Sequence, residues 1–358
     1  MAKTKAAPRI SSAPIAGHGA VRLPSVEVDG YNAQLRDDDG FVGDRARRAA
    51  FFEGFDKWRT IAASAGKDLF SEPTTEISKR SLDKVFLEGN VRGQAVMLSA
   101  IEEFAHNLAA VTRRLLRTKE WRDTERIAVG GGLRSSRFAE IAVARTELLL
   151  RAAEIPVELT PIRHDPDEAG LIGAAHLAPS WMFAAHDSLV AVDIGGSNIR
   201  AGIVELNLKK APDLARAAVR SSLLWRHADE EQDRETAVGR LIDMLAELIA
   251  GAEKGELHLA PFIGIGCPGV IEPDGSISQG AQNLPGNWSS RRFNLPEALK
   301  AALPVIAGEE SVVVMHNDAV VQGLSQRPFM EDVARWGVLT IGTGLGNARF
   351  TNRERGGG

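Results

Sequence analysis

Cysteine is all but missing from this chain: among 358 residues there is one, Cys267. An intrachain disulfide is therefore impossible, and no Cys-x-x-Cys metal or redox pair exists. A reducing, cytoplasmic setting is the expectation, with Cys267 itself a small buried hydrophobe. Long apolar runs are lacking too. Nowhere does the sequence hold the roughly 18 consecutive apolar residues that a membrane-spanning helix needs, and the N-terminus has no apolar signal core. Nor does one sign of charge dominate, with 43 Lys and Arg against 47 Asp and Glu for a formal net charge of -4. A broad nucleic-acid or membrane surface is disfavoured, so anions must be bound in local pockets. Acid is absent from the first 26 residues, which carry Lys3, Lys5, Arg9 and Arg22 amid Ala, Ser and Pro. Transit peptides and mobile tails share that composition, and residues 1–25 are expected to be a mobile tail.

What is present organises itself around Ser188–Glu205, which reads as strand, tight turn, strand. An apolar β-branched run ends in a lone carboxylate, Asp193, then passes through Gly195 and Gly196 into a second run. Glycines let backbone amides approach an anion, Ser197 and Asn198 add donors, and Asp193 can hold Mg²⁺ through water. An ordinary Gly-rich hairpin fits the same letters. Ahead of it the chain alternates helix and strand. An acidic loop (Arg36–Gly40) precedes a helical stretch around 45–59, and residues 67–78 look like a connector. A long amphipathic helix then carries Met97, Ile101, Phe104, Leu108, Val111 and Leu115 on one face. The strand Ile127–Val129 runs into Gly130, Gly131 and Gly132, followed by a helix over 136–153, a strand over 157–159 and a small-residue helix from Pro166. Beyond a linker over 179–187 and the central hairpin come a third strand (217–225) and an amphipathic helix (233–254). Next is a buried strand that breaks at Cys267-Pro268-Gly269, and a Gly/Asn/Pro loop runs on to Trp288. A further strand ends in His316-Asn317-Asp318 at a helix start, and Gly337–Ile341 enters Gly342-Thr343-Gly344-Leu345-Gly346. Polar groups thus gather at strand ends, where open α/β sheets bind ligands.

Strand, glycine turn and strand occur twice, at 189–206 and 337–351, as in an internal repeat. The first copy is followed by more than a hundred residues that complete a sheet-and-helix lobe; the second has almost no continuation. The N-terminal half holds the complementary pieces, a long helix, strand, glycine turn, helix and strand without an opening hairpin. These pieces fit one sheet if the N-terminal half completes what Gly337–Phe350 begins, and termini can be relocated where chain ends lie close at the surface.

Five stretches carry a resemblance: Asp193-Ile-Gly-Gly-Ser-Asn198, Gly264-Ile-Gly-Cys-Pro-Gly269, Asn283-Leu-Pro-Gly286 with Trp288, Asn317-Asp318-Ala319 and Gly342-Thr-Gly-Leu-Gly346. In order and rough spacing they are similar to the signatures of the ROK sugar kinases, members of the hexokinase and actin superfamily. Glu125–Gly132 and Glu168–Ala175 resemble that family's adenosine loop and closing helix, which ordinarily come last and here come first. The resemblance implies an α/β fold of two ribonuclease H-like lobes around an inter-lobe cleft, in circularly permuted order. The larger lobe would be 26–165 with 330–352 and the smaller 166–329. It further implies an ATP-dependent kinase, glucokinase-like, transferring the γ-phosphate to a hexose hydroxyl; a homo-oligomer such as a dimer is one assembly open to the chain, and the sequence does not choose among them.

The roles follow residue by residue from the resemblance. Gly195, Gly196, Ser197 and Asn198 from one lobe and Gly342, Thr343 and Gly344 from the other would grip the phosphates. Gly131 and Gly132 would lie by the adenosine. Asp193 would position Mg²⁺; Gly269, Asn283, Asn317 and Asp318 would line the sugar, with Asp318 the general base. Helix capping by Asp318 is the plain alternative. The family's Cys-rich zinc motif is missing, so no structural zinc is expected. Its Gly-Glu-x-Gly-His sugar signature survives only as Gly17-His18, with His18 read as a tail histidine; Asp38 and Asp39 are the candidates for the sugar-selecting carboxylate, against a solvated turn. A non-catalytic sugar-sensing regulator is the second reading, since such a family includes repressors, but no helix-turn-helix fits ahead of residue 26.

Overall fold

The computed structural model describes residues 14–64, 66, 68–132 and 136–353. In chain order the long strands are β1 (Val26–Tyr31), β2 (Arg126–Gly131), β3 (Glu158–Pro161), β4 (Ser188–Ile194), β5 (Ile199–Glu205) and β6 (Ala218–Trp225). They continue with β7 (Leu259–Cys267), β8 (Val312–Asn317), β9 (Arg335–Ile341) and β10 (Leu345–Asn352). The helices are α1 (Arg48–Ser64), α2 (Lys79–Glu88), α3 (Val91–Leu116), α4 (Arg137–Ala152), α5 (Ala169–Ala174), α6 (Arg234–Lys254), α7 (Leu295–Ala302) and α8 (Asp318–Leu324). The described residues thus form a mixed α/β protein whose two larger sheets have five strands each.

Two compact units divide it. One takes the described residues up to Glu27, Leu171–His316 and those from Asn352; the other takes Val28–Gly170 and Asn317–Thr351. The expected divisions at 165/166 and 329/330 therefore fall at 170/171 and 316/317. The second shift has a packing cause: Gly323 on α8 is glycine because Phe350 and Val338 side chains crowd the place of a Cβ, at 2.8 and 2.9 Å. α8 is thus bound to the β9–β10 hairpin.

In the unit built on Leu171–His316 the sheet order is β8-β7-β4-β5-β6. β4 and β5 form the expected antiparallel hairpin, with Val192 opposite Ala201; β6 adds antiparallel to β5, and β7 runs parallel to β4. β7 is buried along its whole length, which accounts for its uninterrupted apolar run. α6 starts on Asp233, whose carboxylate accepts from Thr236 N at 2.8 Å, and lays Leu241, Leu245 and Leu248 into the core with Ile263, Ile265 and Trp225. α5 packs tightly on this sheet. Gly264 passes so near Ala174 that a Cβ would stand 2.8 Å from its carbonyl oxygen.

In the other unit the order is β1-β10-β9-β2-β3. β9 and β10 are an antiparallel hairpin, and β2 runs parallel to β9 with Leu339 opposite Val129. The N-terminal half and the 337–350 hairpin therefore share one sheet. α3 begins on Asn90, whose Oδ1 accepts from Gly93 N at 2.9 Å, and buries Met97, Ile101, Phe104, Leu108, Val111 and Leu115 as its spacing requires. Phe51 of α1 stacks on Phe138 of α4 at 4.5 Å between ring centroids and meets Phe104 edge-on. The helix α2, which the connector before it hid, is a short amphipathic turn capped by Ser78.

Both sheets follow one plan: a hairpin, a third strand beyond it, and on the other side a parallel strand with one more outside. In the first sheet those roles are filled in chain order, β4 to β8. In the second they are filled by β9, β10, β1, β2 and β3, the same cycle entered two strands later.

Candidate functional site

In the Leu171–His316 unit the expected residues collect where β4 and β7 end. Asp193 lies beside Gly266 in the parallel register and is half-buried. The four-residue turn that follows closes on itself, Gly195 N donating to Asn198 O at 2.8 Å. A Cβ placed on Gly195 would have its nearest neighbour 3.5 Å away, an ordinary contact. Packing does not demand glycine there. Two residues past buried Cys267, Gly269 is different: its φ of +107° and the Gln279 carbonyl in the Cβ direction make glycine obligatory. Asn283 is exposed on its loop, whose end is fixed by Trp288, buried and donating from Nε1 to Pro285 O at 2.7 Å.

The expected tail over residues 1–25 does not hold from Gly17 on. Its residues 1–13, with Lys3, Lys5 and Arg9, lie outside the described residues. From Gly17 the chain runs along the open edge of β8: Gly19 N donates to Met315 O at 3.0 Å, Met315 N donates to His18 Nδ1 at 3.1 Å, and Leu23 is buried. An unpaired sheet edge needs such partners. His18, read from sequence as a tail histidine, is held between β8 and the turn at Gly275. Burial lowers its pKa below the ordinary value, against the pull of Asp274 and Glu297. Next to it His316 is fully buried with its pKa pushed down to about 4, and the neutral ring donates from Nε2 to Ala20 O at 3.2 Å.

β8 ends at Asn317, and here the two neighbouring polar residues part company. Asn317 is the cap of α8: its buried side chain accepts from Ala319 N at 3.0 Å and Val320 N at 3.3 Å. Asp318, the first residue of the helix, is half-buried and does not carry that task.

In the other unit the glycines come together at the ends of the parallel strands β2 and β9. Gly131 pairs with Ile341 at φ +100°, and Gly132 N donates to Ile341 O at 3.0 Å. Directly after Ile341 the turn Gly342-Thr343-Gly344 closes through Gly342 N to Gly344 O at 2.9 Å, while Arg48 N holds Gly342 O at 3.0 Å. Around Gly132 and Gly344 a Cβ would meet nothing within 4 Å, and Thr343 is exposed. α2 braces this place. Lys79 Nζ donates to Gly132 O at 2.7 Å, and the Asp83 carboxylate accepts from Arg137 N at 2.9 Å and Phe138 N at 3.0 Å. Asp83 so fills the anion position at the start of α4 that a phosphate would otherwise take. Asp38 and Asp39 sit exposed in a small hairpin, Asp39 paired with Arg45 at 2.8 Å. They form a solvated turn, as Asp and Gly favour on their own account.

Among the described residues no group of three or more His, Cys, Asp or Glu side chains could hold a metal ion, and no helix is long and apolar enough to cross a membrane.

No family model matches the chain. In sequence it is 28% identical over 166 residues to a glucokinase of Thermotoga maritima, a match that covers 46% of this chain and 44% of that protein. The chain thus spans under half the length of this curated relative. Among solved structures, a ROK hexokinase from Thermus thermophilus is 21% identical with a TM-score of 0.33, over 45% of each chain. A ROK-family glucokinase from Streptomyces griseus, solved with glucose and AMPPNP, is 21% identical with a TM-score of 0.34, over 47% of this chain and 45% of that one. In sequence, then, the chain is similar to a glucokinase over somewhat less than half of its length.

Proposed function

We propose that the protein is an ATP-dependent sugar kinase that moves the γ-phosphoryl group to a hydroxyl of a hexose, on a circularly permuted version of the sugar-kinase fold. The observation that carries the reading is the paired sheet plan. Each sheet opens with a hairpin whose turn is rich in glycine, and around Gly195 and Gly344 the protein itself leaves the space that a phosphate oxygen would need. The second sheet enters the shared strand cycle two strands late, which supports relocated chain ends. A permuted chain can be aligned in one direction over only one of its two blocks, and a match over 46% and 44% of the two lengths accords with that.

Phosphoryl transfer asks for positioning and charge neutralisation more than covalent work. In this reading Gly195–Asn198 and Gly342–Gly344 take the phosphates, Gly131 and Gly132 border the adenosine, and Gly269, Asn283 and Asn317 address the sugar. Asp318 accepts the proton of the attacking hydroxyl. Capping of α8 falls to Asn317, so the helix does not need the Asp318 carboxylate for that purpose. Mg²⁺, when bound, would be held by Asp193 and would supply positive charge against the phosphates. A single carboxylate at Asp193 suits it, because Mg²⁺ keeps several waters and takes one or two carboxylates beside the phosphates.

The deciding experiment is a coupled ADP-release assay over a panel of hexoses with Mg·ATP. Turnover with glucose or a near relative at saturating ATP is the expected result. ATP bound without turnover on any hexose would point to a sensing role and remove the kinase reading.

A further inference from the structure

The first glycine turn is held from behind by residues that no sequence signature contains. His227 is 3% exposed, its ring edge-on to Trp225 with centroids 5.9 Å apart. Its Nε2 stands 2.9 Å from Gly195 O. A carbonyl oxygen can only accept, so Nε2 carries the hydrogen and donates. One residue on, Ala228 N donates to Ser197 O at 3.2 Å. The register of the sheet brings these groups there: Trp225, the last residue of β6, lies opposite Ile199, the first residue of β5 after the turn, and the chain then curls into a short 3-10 turn over His227–Asp229.

We infer that His227, with the Ala228 amide, sets the orientation of the phosphate turn. In a planar trans peptide the carbonyl and the following N–H point in opposite directions. Fixing the carbonyls of Gly195 and Ser197 toward residues 227 and 228 therefore aims the amides of Gly196 and Asn198 the other way. Two alternate amides aimed to one side form a concavity for an anion. Without the clamp each peptide can rotate, and a rotated peptide presents its carbonyl oxygen to the phosphate, which repels it. His227 is a positioning residue: it acts on nucleotide phosphates through the backbone of Gly195 and Gly196. This inference rests on the reading of Gly195–Asn198 as a phosphate turn and assigns what orients it.

The test compares His227→Phe, His227→Asn and His227→Gln by calorimetry with Mg·ATP, with adenosine and with the best hexose, and by steady-state kinetics. A glutamine amide can reach where Nε2 lies; an asparagine amide reaches only to the place of Nδ1. ATP affinity should fall about 5- to 10-fold in the Phe and Asn variants, the worth of one buried hydrogen bond, and stay within about twofold of the parent in Gln. Adenosine and hexose affinities should not move in any of them, and the ATP KM should rise without a matching fall in kcat. Parental ATP affinity in a folded His227→Phe variant overturns the inference. So does an equal loss for adenosine and ATP, or the same loss in Gln as in Phe, either of which marks a general structural defect. A parent protein that binds ATP no better than adenosine fails one level earlier, because the phosphate-turn reading then falls and takes the clamp with it.

Discussion

Replacing Asp318 with asparagine separates chemistry from architecture at the end of β8. The substitution keeps the size of the side chain and removes its basicity. Structurally it should cost little, because the cap of α8 is Asn317, bonded to Ala319 N and Val320 N at 3.0 and 3.3 Å. What is lost is the favourable meeting of a negative charge with the first turn of a helix, about 0.3–1 kcal/mol at a half-exposed position. For a chain of this size that lowers the melting temperature by only a few degrees, about 2–4 °C per kcal/mol at 150–250 residues and less beyond. A general base, by contrast, contributes roughly 10²- to 10⁴-fold in rate, or about 3–5 kcal/mol of barrier. Turnover should therefore collapse while melting temperature, ATP binding and hexose binding hold nearly steady. Asn317→Ala is the counterpart and should cost about 1 kcal/mol of stability through the lost cap. Calorimetric melting and ADP release on one preparation of each variant decide the matter. An Asp318→Asn protein that phosphorylates hexose near the parental rate would refute the assignment of Asp318 as the base.

At Gly344 a side chain has open space, so Gly344→Val should fold with an unchanged melting temperature yet bind ATP more weakly; unchanged nucleotide affinity in calorimetry would remove the second phosphate turn. Asp83→Ala strips the first turn of α4 of its carboxylate partner, and a loss of about 1 kcal/mol in denaturant unfolding is expected with a raised KM for ATP; an unchanged KM would show that α2 does not brace the nucleotide turn. Stability should also depend on acid. His316 has an ordinary pKa of 6.5 and a folded value of about 4, so above pH 6.5 it is neutral in both states and its contribution is complete. As pH falls from 6.5 toward 4 the unfolded chain takes up the proton and the folded one does not, and up to about 3 kcal/mol is lost across that window. His18 shifts in the same direction. Denaturant titrations from pH 7 to pH 4.5 should show the decline and His316→Gln should flatten it; equal slopes for the two proteins would refute it.

Much of this was legible in the residues because the glycine turns and the strands around them are local. Alternation, β-branched runs and paired glycines sit together at Ser188–Glu205, and the hairpin of β4 and β5 follows. The sharing of a sheet by Leu339 and Val129 was legible for a different reason: an opening hairpin without a continuation and a continuation without a hairpin have one economical pairing. Distant partners were not legible. His18 gains its place from an amide 297 residues away in sequence, and no pattern around Gly17-His18 reports the free edge of β8. Nor could Asn317 and Asp318 be told apart, since both types cap helices and only coordinates show which oxygen faces the amides. α2 was lost because ten residues between a connector and a much longer helix merge with their neighbours. His227 carries no local sign of its role, which depends on the pairing of Trp225 with Ile199.

The late entry of β9 into its sheet also bears on the order in which the chain can assemble. Every strand of the β4-to-β8 sheet comes from one continuous stretch, so its pairings close short loops first. The other sheet has its centre at β9, and β2 must wait for it: the Glu125 carboxylate that receives the amide of Arg335 lies 210 residues away. Closing such a loop costs entropy that local pairings do not, and non-local contacts form slowly. Amides of β4, β5 and β7 should thus gain hydrogen-exchange protection during refolding before those of β2 and β9, and simultaneous protection would contradict this. Until β9 arrives, β2 has no inner neighbour. Its apolar Ile127-Ala-Val129 segment stands as an open template through most of synthesis, so this chain order exposes it to pairing with other chains.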